Sequence, residues 1–127
     1  MDLSKQAKEF RKAYEISNDP DKRSLQMKLI TEEYHEVLDA HLKLNKYKGS
    51  ESDCLKELAD LVYVCFQYAE NMEWPLLEAL YRVHESNMSK LDENGKPIRR
   101  EDGKILKGPH YKPPFLDDIF DSRFGFH

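Results

Sequence analysis

The stretch KLITEEYHEVLDA, Lys28–Ala40, decides the fold: its apolar residues recur at helical spacing, yet two of its acids fall on the apolar side. With roughly 100° of rotation per residue and Ile30 as origin, Leu29, Ala40, Leu44, Val37, Ile30, His41, Tyr34, Leu38 and Leu42 form one continuous arc. Glu33 falls inside that arc, between Ala40 and Leu44, and Glu36 stands at its edge between Leu25 and Leu29. Glu32 and Asp39 point to the solvent side. A helix that turns carboxylates inward needs something to neutralise them.

Outward from this helix, prolines and glycines divide the chain. DLSKQAKEFRKAYEIS spaces Leu3, Ala7, Phe10, Ala13 and Tyr14 as a first helix, with Asp2 or Ser4 as its cap, and NDPDKRS is a turn. The second helix runs from Ser24 to Asn45 and stops at KYKGSES, where Gly49 and the serines break it. Ser52 or Asp53 caps a third helix that reaches Asn71; its LADLVYVCFQYA is apolar on nearly every side, which marks it as central and most buried. Pro75 suits the first turn of a fourth helix ending near Leu91. Asn94-Gly95 and Asp102-Gly103 are tight-turn signals, and Lys96–Arg100 can pair with Lys104–Lys107 as a small hairpin. The Pro-broken, aromatic HYKPPFLDDIFDSRFGFH is expected to dock on the body or on a partner subunit. The expected fold is all-α: an antiparallel bundle of about four helices over residues 1–91. A small C-terminal β-hairpin and arm follow over 92–127, and oligomerisation completes the bundle.

Composition narrows the function classes. The chain has 127 residues and a net charge of -4, so nucleic acid is not its expected partner. No apolar run approaches the roughly 20 residues of a membrane span, and MDLSKQAKEF lacks the apolar region of a signal peptide. Cys54 and Cys65, on one helix and roughly 16 Å apart, cannot bridge each other. A reduced, cytoplasmic chain is expected.

The third helix repeats the acidic anomaly. One stripe collects Gln67, Asp60, Asn71 and Glu57, interrupted by Val64 and bordered by Tyr68. Glu57 and Asp60 are spaced i, i+3, as are Glu33 and Glu36. Alone, the Glu57/Asp60 pair reads as a solvated face, and Glu33 reads as the partner of a buried lysine. Together, on antiparallel helices, four carboxylates converge, and they stay ionised only beside a cation. Hard oxygen ligands of this kind select Mg²⁺ or Mn²⁺. Glu32 and His35 have the Glu-x-x-His spacing of di-iron bundles, but a second such motif is absent and both lie on the polar side. Zinc-hydrolase and phosphate-loop motifs are absent too.

EEYHEVLDA followed by KELADLVYV resembles the paired Glu-Glu-x-x-Glu and Glu-x-x-Asp motifs of the all-α nucleoside triphosphate pyrophosphatases. The tail VHESNMSKLDENGKPIRREDGKILKGPHYKPP resembles the short, single-domain MazG-like proteins of phages and bacteria. The resemblance implies Mg²⁺-dependent cleavage of a nucleoside triphosphate to monophosphate and pyrophosphate by a homodimer or homotetramer, in a host's cytoplasm if the protein is phage-encoded. It implies Glu33, Glu36, Glu57 and Asp60 as metal ligands and Glu32 as an outer residue that helps orient water. Glu33 would accept the water's proton, with metal charge assisting at the α-phosphate. On the fourth helix, Asn87 shares a face with Leu76, Leu80 and Val83, and Lys90 follows one turn later. The resemblance gives both to substrate phosphates; the plainer alternative is helix capping and dipole compensation. Deoxynucleotides such as dGTP or dCTP are the implied substrates, with Phe10, Tyr14 and Gln67 open as base contacts. A different class of function also stays open. Between Lys96 and Lys112 six basic residues face only Glu101 and Asp102, so the hairpin of a non-enzymatic scaffold could bind nucleic acid or protein.

Overall fold

Among the residues described by the computed structural model, 1–120, four α-helices dominate: α1 Leu3–Ala13, α2 Arg23–Asn45, α3 Glu51–Asn71 and α4 Leu76–Met88. Asp2 caps α1, accepting from the Ser4 and Lys5 N–H groups at 2.9 and 3.1 Å. Ser50, not Ser52 or Asp53, caps α3, its hydroxyl accepting from the Asp53 N–H at 3.1 Å. Glu51 and Asp53 then occupy the first turn, where their charge complements the helix dipole. A 3₁₀ turn, Pro20–Lys22, leads into α2.

The first three helices stop in the same way. Glu15, Tyr47 and Glu73 take left-handed φ of 56°, 58° and 58° just past the helix ends. The next N–H in each case returns to a carbonyl five residues back: Ile16 to Arg11 at 2.8 Å, Lys48 to Lys43 at 2.9 Å, Trp74 to Ala69 at 2.8 Å. These are Schellman closures made without glycine. Tyr47 therefore ends α2, and Gly49 follows the stop instead of causing it.

Two compact units divide at Trp74/Pro75. The division lies ahead of the boundary expected at residue 91, because α4 is tied to the segment after the hairpin. In the first unit α1 and α2 both pack on α3, which is central as expected. The link over residues 46–50 makes α2 and α3 antiparallel, and the Cys54 thiol donates to the Ala40 carbonyl at 3.4 Å. Only half of the α2 arc packs. Gln26, Leu29, Ile30, Glu33, Val37, Ala40 and Leu44 are buried or half-buried, whereas Tyr34, Leu38, His41 and Leu42 are exposed.

Burial along α3 differs from the expectation of an element enclosed throughout. Phe66, Gln67, Ala69 and Asn71 are buried, but Leu55, Leu58 and Val62 are 68, 50 and 42% exposed. The eleven residues of α1 are the cause: Phe10 reaches Tyr63 and Arg11 reaches Gln67 and Asn71, so α1 covers only the C-terminal part of α3.

In the second unit α4 stops at Met88, a turn short of Leu91. The Ser89 hydroxyl turns back to the Ser86 carbonyl at 2.6 Å and accepts from the Lys112 N–H at 2.9 Å. Asp92 organises the first turn, accepting from the Asn94 and Lys96 N–H groups, and Gly95 and Gly103 take left-handed φ of 73° and 89°. Ile98–Arg99 and Ile105–Leu106 pair antiparallel, Ile98 opposite Leu106 and Arg99 opposite Ile105. Arg82 fastens the following segment: it donates to Glu78 at 2.9 Å, to the Phe115 carbonyl at 3.1 Å and to Asp118. Ile119 is buried beside these contacts in a last 3₁₀ turn, Asp117–Phe120. The remaining tail, 121–127, lies outside the described residues. Among them no helix is long and apolar enough to cross a membrane.

Candidate metal centre

The packed stripe of α2 has Glu33 near its middle, and Glu36 lies at its margin. Antiparallel packing brings these against Glu57 and Asp60 of α3. One oxygen from each of the four carboxylates lies within 4.8 Å of all the others. Glu33, Glu57 and Asp60 are half-buried and Glu36 is exposed, so the group opens to solvent on one side. Glu33 Oε2 and Glu57 Oε2 are buried and have no hydrogen-bond partner among the described residues. Such atoms are uncommon in folded proteins, since each forfeits its hydration.

The donor set fits a hard divalent cation. Four carboxylate oxygens within 4.8 Å of one another are close enough that a divalent ion could be shared among them. Two orphaned anionic oxygens are what such an ion would satisfy. A cleft of about 180 Å³ adjoins the group, lined by Glu36, Asp39, Ala40, Lys43, Gly49, Asp53 and Glu57.

A lysine does meet the acids, but on α3 and not at Glu33. Lys56 Nζ lies 2.7 Å from Asp60 and 3.4 Å from Glu57, and among the described residues no lysine pairs with Glu33. Asp60 first and Glu57 second hold the Lys56 ammonium's pKa above its ordinary value. Lys43 is engaged instead by Asp39 at 3.0 Å.

The same face of α3 continues into a second polar group. Arg11, 4% exposed, donates to Asn18 Oδ1 at 2.8 Å, the Ser17 carbonyl at 3.1 Å, Asn71 Oδ1 at 2.9 Å and Gln67 Oε1 at 3.4 Å. Asn71, 1% exposed, also accepts from the Asp19 N–H at 3.0 Å and donates to the Asp19 carbonyl at 2.9 Å. Gln67 and Asn71 thus hold Arg11 and the link into α2. Burial pulls the Arg11 pKa down, and Glu70 partly opposes it.

Both Arg11 and Lys56 escape the sequence reading. Their signals are spacing: Arg11 continues the i, i+4 line of Leu3 and Ala7, and Lys56 stands i, i+4 from Asp60. The structure brings Glu33, Glu36, Glu57 and Asp60 together, while Glu32 and His35 are exposed and stand outside the group. Asn87 is exposed and Lys90 half-buried at the end of α4, where Ser86 is the buried polar residue. In the basic arm, Arg100 is paired with Asp102 at 2.5 Å and Lys107 lies over the Tyr111 ring, 4.8 Å from its centre.

No protein-family model matches the chain, and no curated protein does.

Proposed function

We propose that this chain is a MazG-like, Mg²⁺-dependent nucleoside triphosphate pyrophosphohydrolase of the cytoplasm. It releases nucleoside monophosphate and pyrophosphate, with deoxynucleotides such as dGTP or dCTP as its preferred substrates. The observation that carries the proposal is the convergence of four carboxylates within 4.8 Å, two of them with buried, unpartnered oxygens.

Glu33, Glu36, Glu57 and Asp60 would hold Mg²⁺, with Mn²⁺ as a substitute. The ion supplies positive charge against the polyphosphate and makes a nearby water more acidic. Glu33 would accept the proton of the attacking water through the carboxylate oxygen that does not hold the ion. Glu32, on the solvent side, helps orient that water. Asn87 and Lys90 bind the phosphates, Lys90 opposing charge that builds on the departing pyrophosphate.

A cleft of about 180 Å³ is below the roughly 300–1,000 Å³ of small-molecule sites, so a nucleotide needs further walls. Leu55, Leu58 and Val62 on α3, with Tyr34, Leu38 and Leu42 on α2, expose an apolar surface suited to a second copy. The active form is accordingly a homodimer or homotetramer. Sedimentation at micromolar protein should show no stable 15.0 kDa monomer; finding one refutes the assembly. The activity itself is tested by incubating the protein with each common NTP and dNTP plus Mg²⁺ and quantifying pyrophosphate. Release that stops on chelation is expected; silence across the whole panel refutes the proposal.

A further inference from the structure

Lys56 contributes nothing to the chemistry above, yet it sits against two of the four proposed ligands. Its Nζ spans Asp60 and Glu57 at 2.7 and 3.4 Å, while its side chain remains 65% exposed. The ammonium therefore rests, on its solvent-exposed side chain, against Glu57 Oε1 and Asp60 Oδ2, oxygens of two of the four carboxylates. It cannot reach the whole set: Glu33 Oε2 and Glu57 Oε2 remain without partners. One positive charge against four carboxylates leaves most of their mutual repulsion in place.

Resting on the metal reading, we infer that Lys56 is the resident counter-cation of the metal-free site and that a divalent ion must displace it to bind. A divalent ion brings twice the charge and reaches the inner oxygens, so it wins the exchange. The long, exposed side chain lets the ammonium swing into solvent without disturbing the packing of α3. Lys56 thus stabilises the empty site and raises the metal concentration needed to fill it.

The test is calorimetric titration with Mn²⁺ alone, using the full chain and the variants Lys56→Met, Lys56→Arg and Lys43→Met. Lys56→Met should bind Mn²⁺ roughly 3- to 10-fold more tightly than wild type, the effect of removing one unit charge across a few ångströms of solvent-like dielectric. Lys56→Arg keeps the charge and should stay near wild type. Lys43→Met removes a charge from the cleft that adjoins the carboxylates but leaves the Lys56 bridge intact, so it should change affinity less. Without metal, Lys56→Met should melt about 1–4 °C lower than wild type, and saturating Mn²⁺ should abolish that gap. Equal or weaker Mn²⁺ affinity in Lys56→Met, beside a wild type that binds, overturns the Lys56 assignment and leaves the metal reading standing. An equal gain in Lys43→Met overturns it as well, by showing only a diffuse charge effect. No Mn²⁺ binding by any of the proteins overturns the metal reading and this inference with it.

Discussion

Two polar clusters lie along the same face of α3, and they end differently. At the C-terminal end, Arg11, Asn71 and the Asp19 backbone form several hydrogen bonds of 2.8–3.1 Å that use groups from three parts of the chain. Nearer the N-terminal end, Glu33, Glu36, Glu57 and Asp60 meet with like charge, one solvent-reachable lysine and two orphaned oxygens. Both sets of groups lose hydration on folding. The first recovers most of it from the chain itself, with Gln67 Nε2 left unpartnered among the described residues; the second cannot, since no arrangement of acceptors satisfies acceptors. Polar groups of opposite sense closed by their own chain are architecture, and a set of like charges left open is a demand for a counter-ion.

The sharpest way to break this comparison is to substitute the acids. Ala in place of Glu33, Glu36, Glu57 or Asp60 should abolish pyrophosphate release while the metal-free protein melts at or above the wild-type temperature, because repulsion falls. Wild-type rates in two or more of the four variants would end the distinction. Lys90→Ala extends the comparison to the second unit. It should lower kcat/KM by roughly 10- to 1000-fold with Mn²⁺ affinity unchanged in the absence of nucleotide. Unchanged kinetics would return Lys90 to the role of complementing a helix end.

The closed cluster should show the opposite profile. Asn71→Ala leaves the Asp19 N–H without its acceptor and removes one partner each from Arg11 and the Asp19 carbonyl, so chemical denaturation should show a loss of about 1–3 kcal/mol, while Mn²⁺ affinity per folded molecule stays at wild type. Smallest are the changes away from both clusters. Glycine at Glu15, Tyr47 or Glu73 relieves a left-handed φ and should add about 0.5–1 kcal/mol each, read from the same denaturation curves with turnover unchanged.

The carboxylate group was legible in the sequence because helical phase is nearly rigid: once Glu33 falls among Ala40 and Leu44, antiparallel packing leaves it little choice of neighbour. The helix count and the two glycine turns were legible for similarly local reasons. The stops were not. Sequence points to Gly49 as the breaker of α2, whereas the structure uses Tyr47, a residue with no preference for left-handed φ that marks it in advance. The burial of α3 was misjudged because composition tells that a helix is apolar all round, not how far a short neighbour such as α1 extends over it. Gln67 and Asn71 were found as an anomaly but not explained, since their partner Arg11 lies 56 and 60 residues away along the chain.

Arg82 sets how the C-terminal segment can fail. One guanidinium joins Glu78 on its own helix to the Phe115 carbonyl and to Asp118, with Ile119 as the buried residue beside them. Contacts that share a single hub cannot loosen one at a time. The stretch from Phe115 to Asp118 is therefore seated through one side chain, whereas Lys112 is held separately by the Ser86 and Ser89 hydroxyls. A protease that cuts after aromatic residues would meet the Phe115–Leu116 bond there, its cleavage rate following the hold of a single side chain on α4.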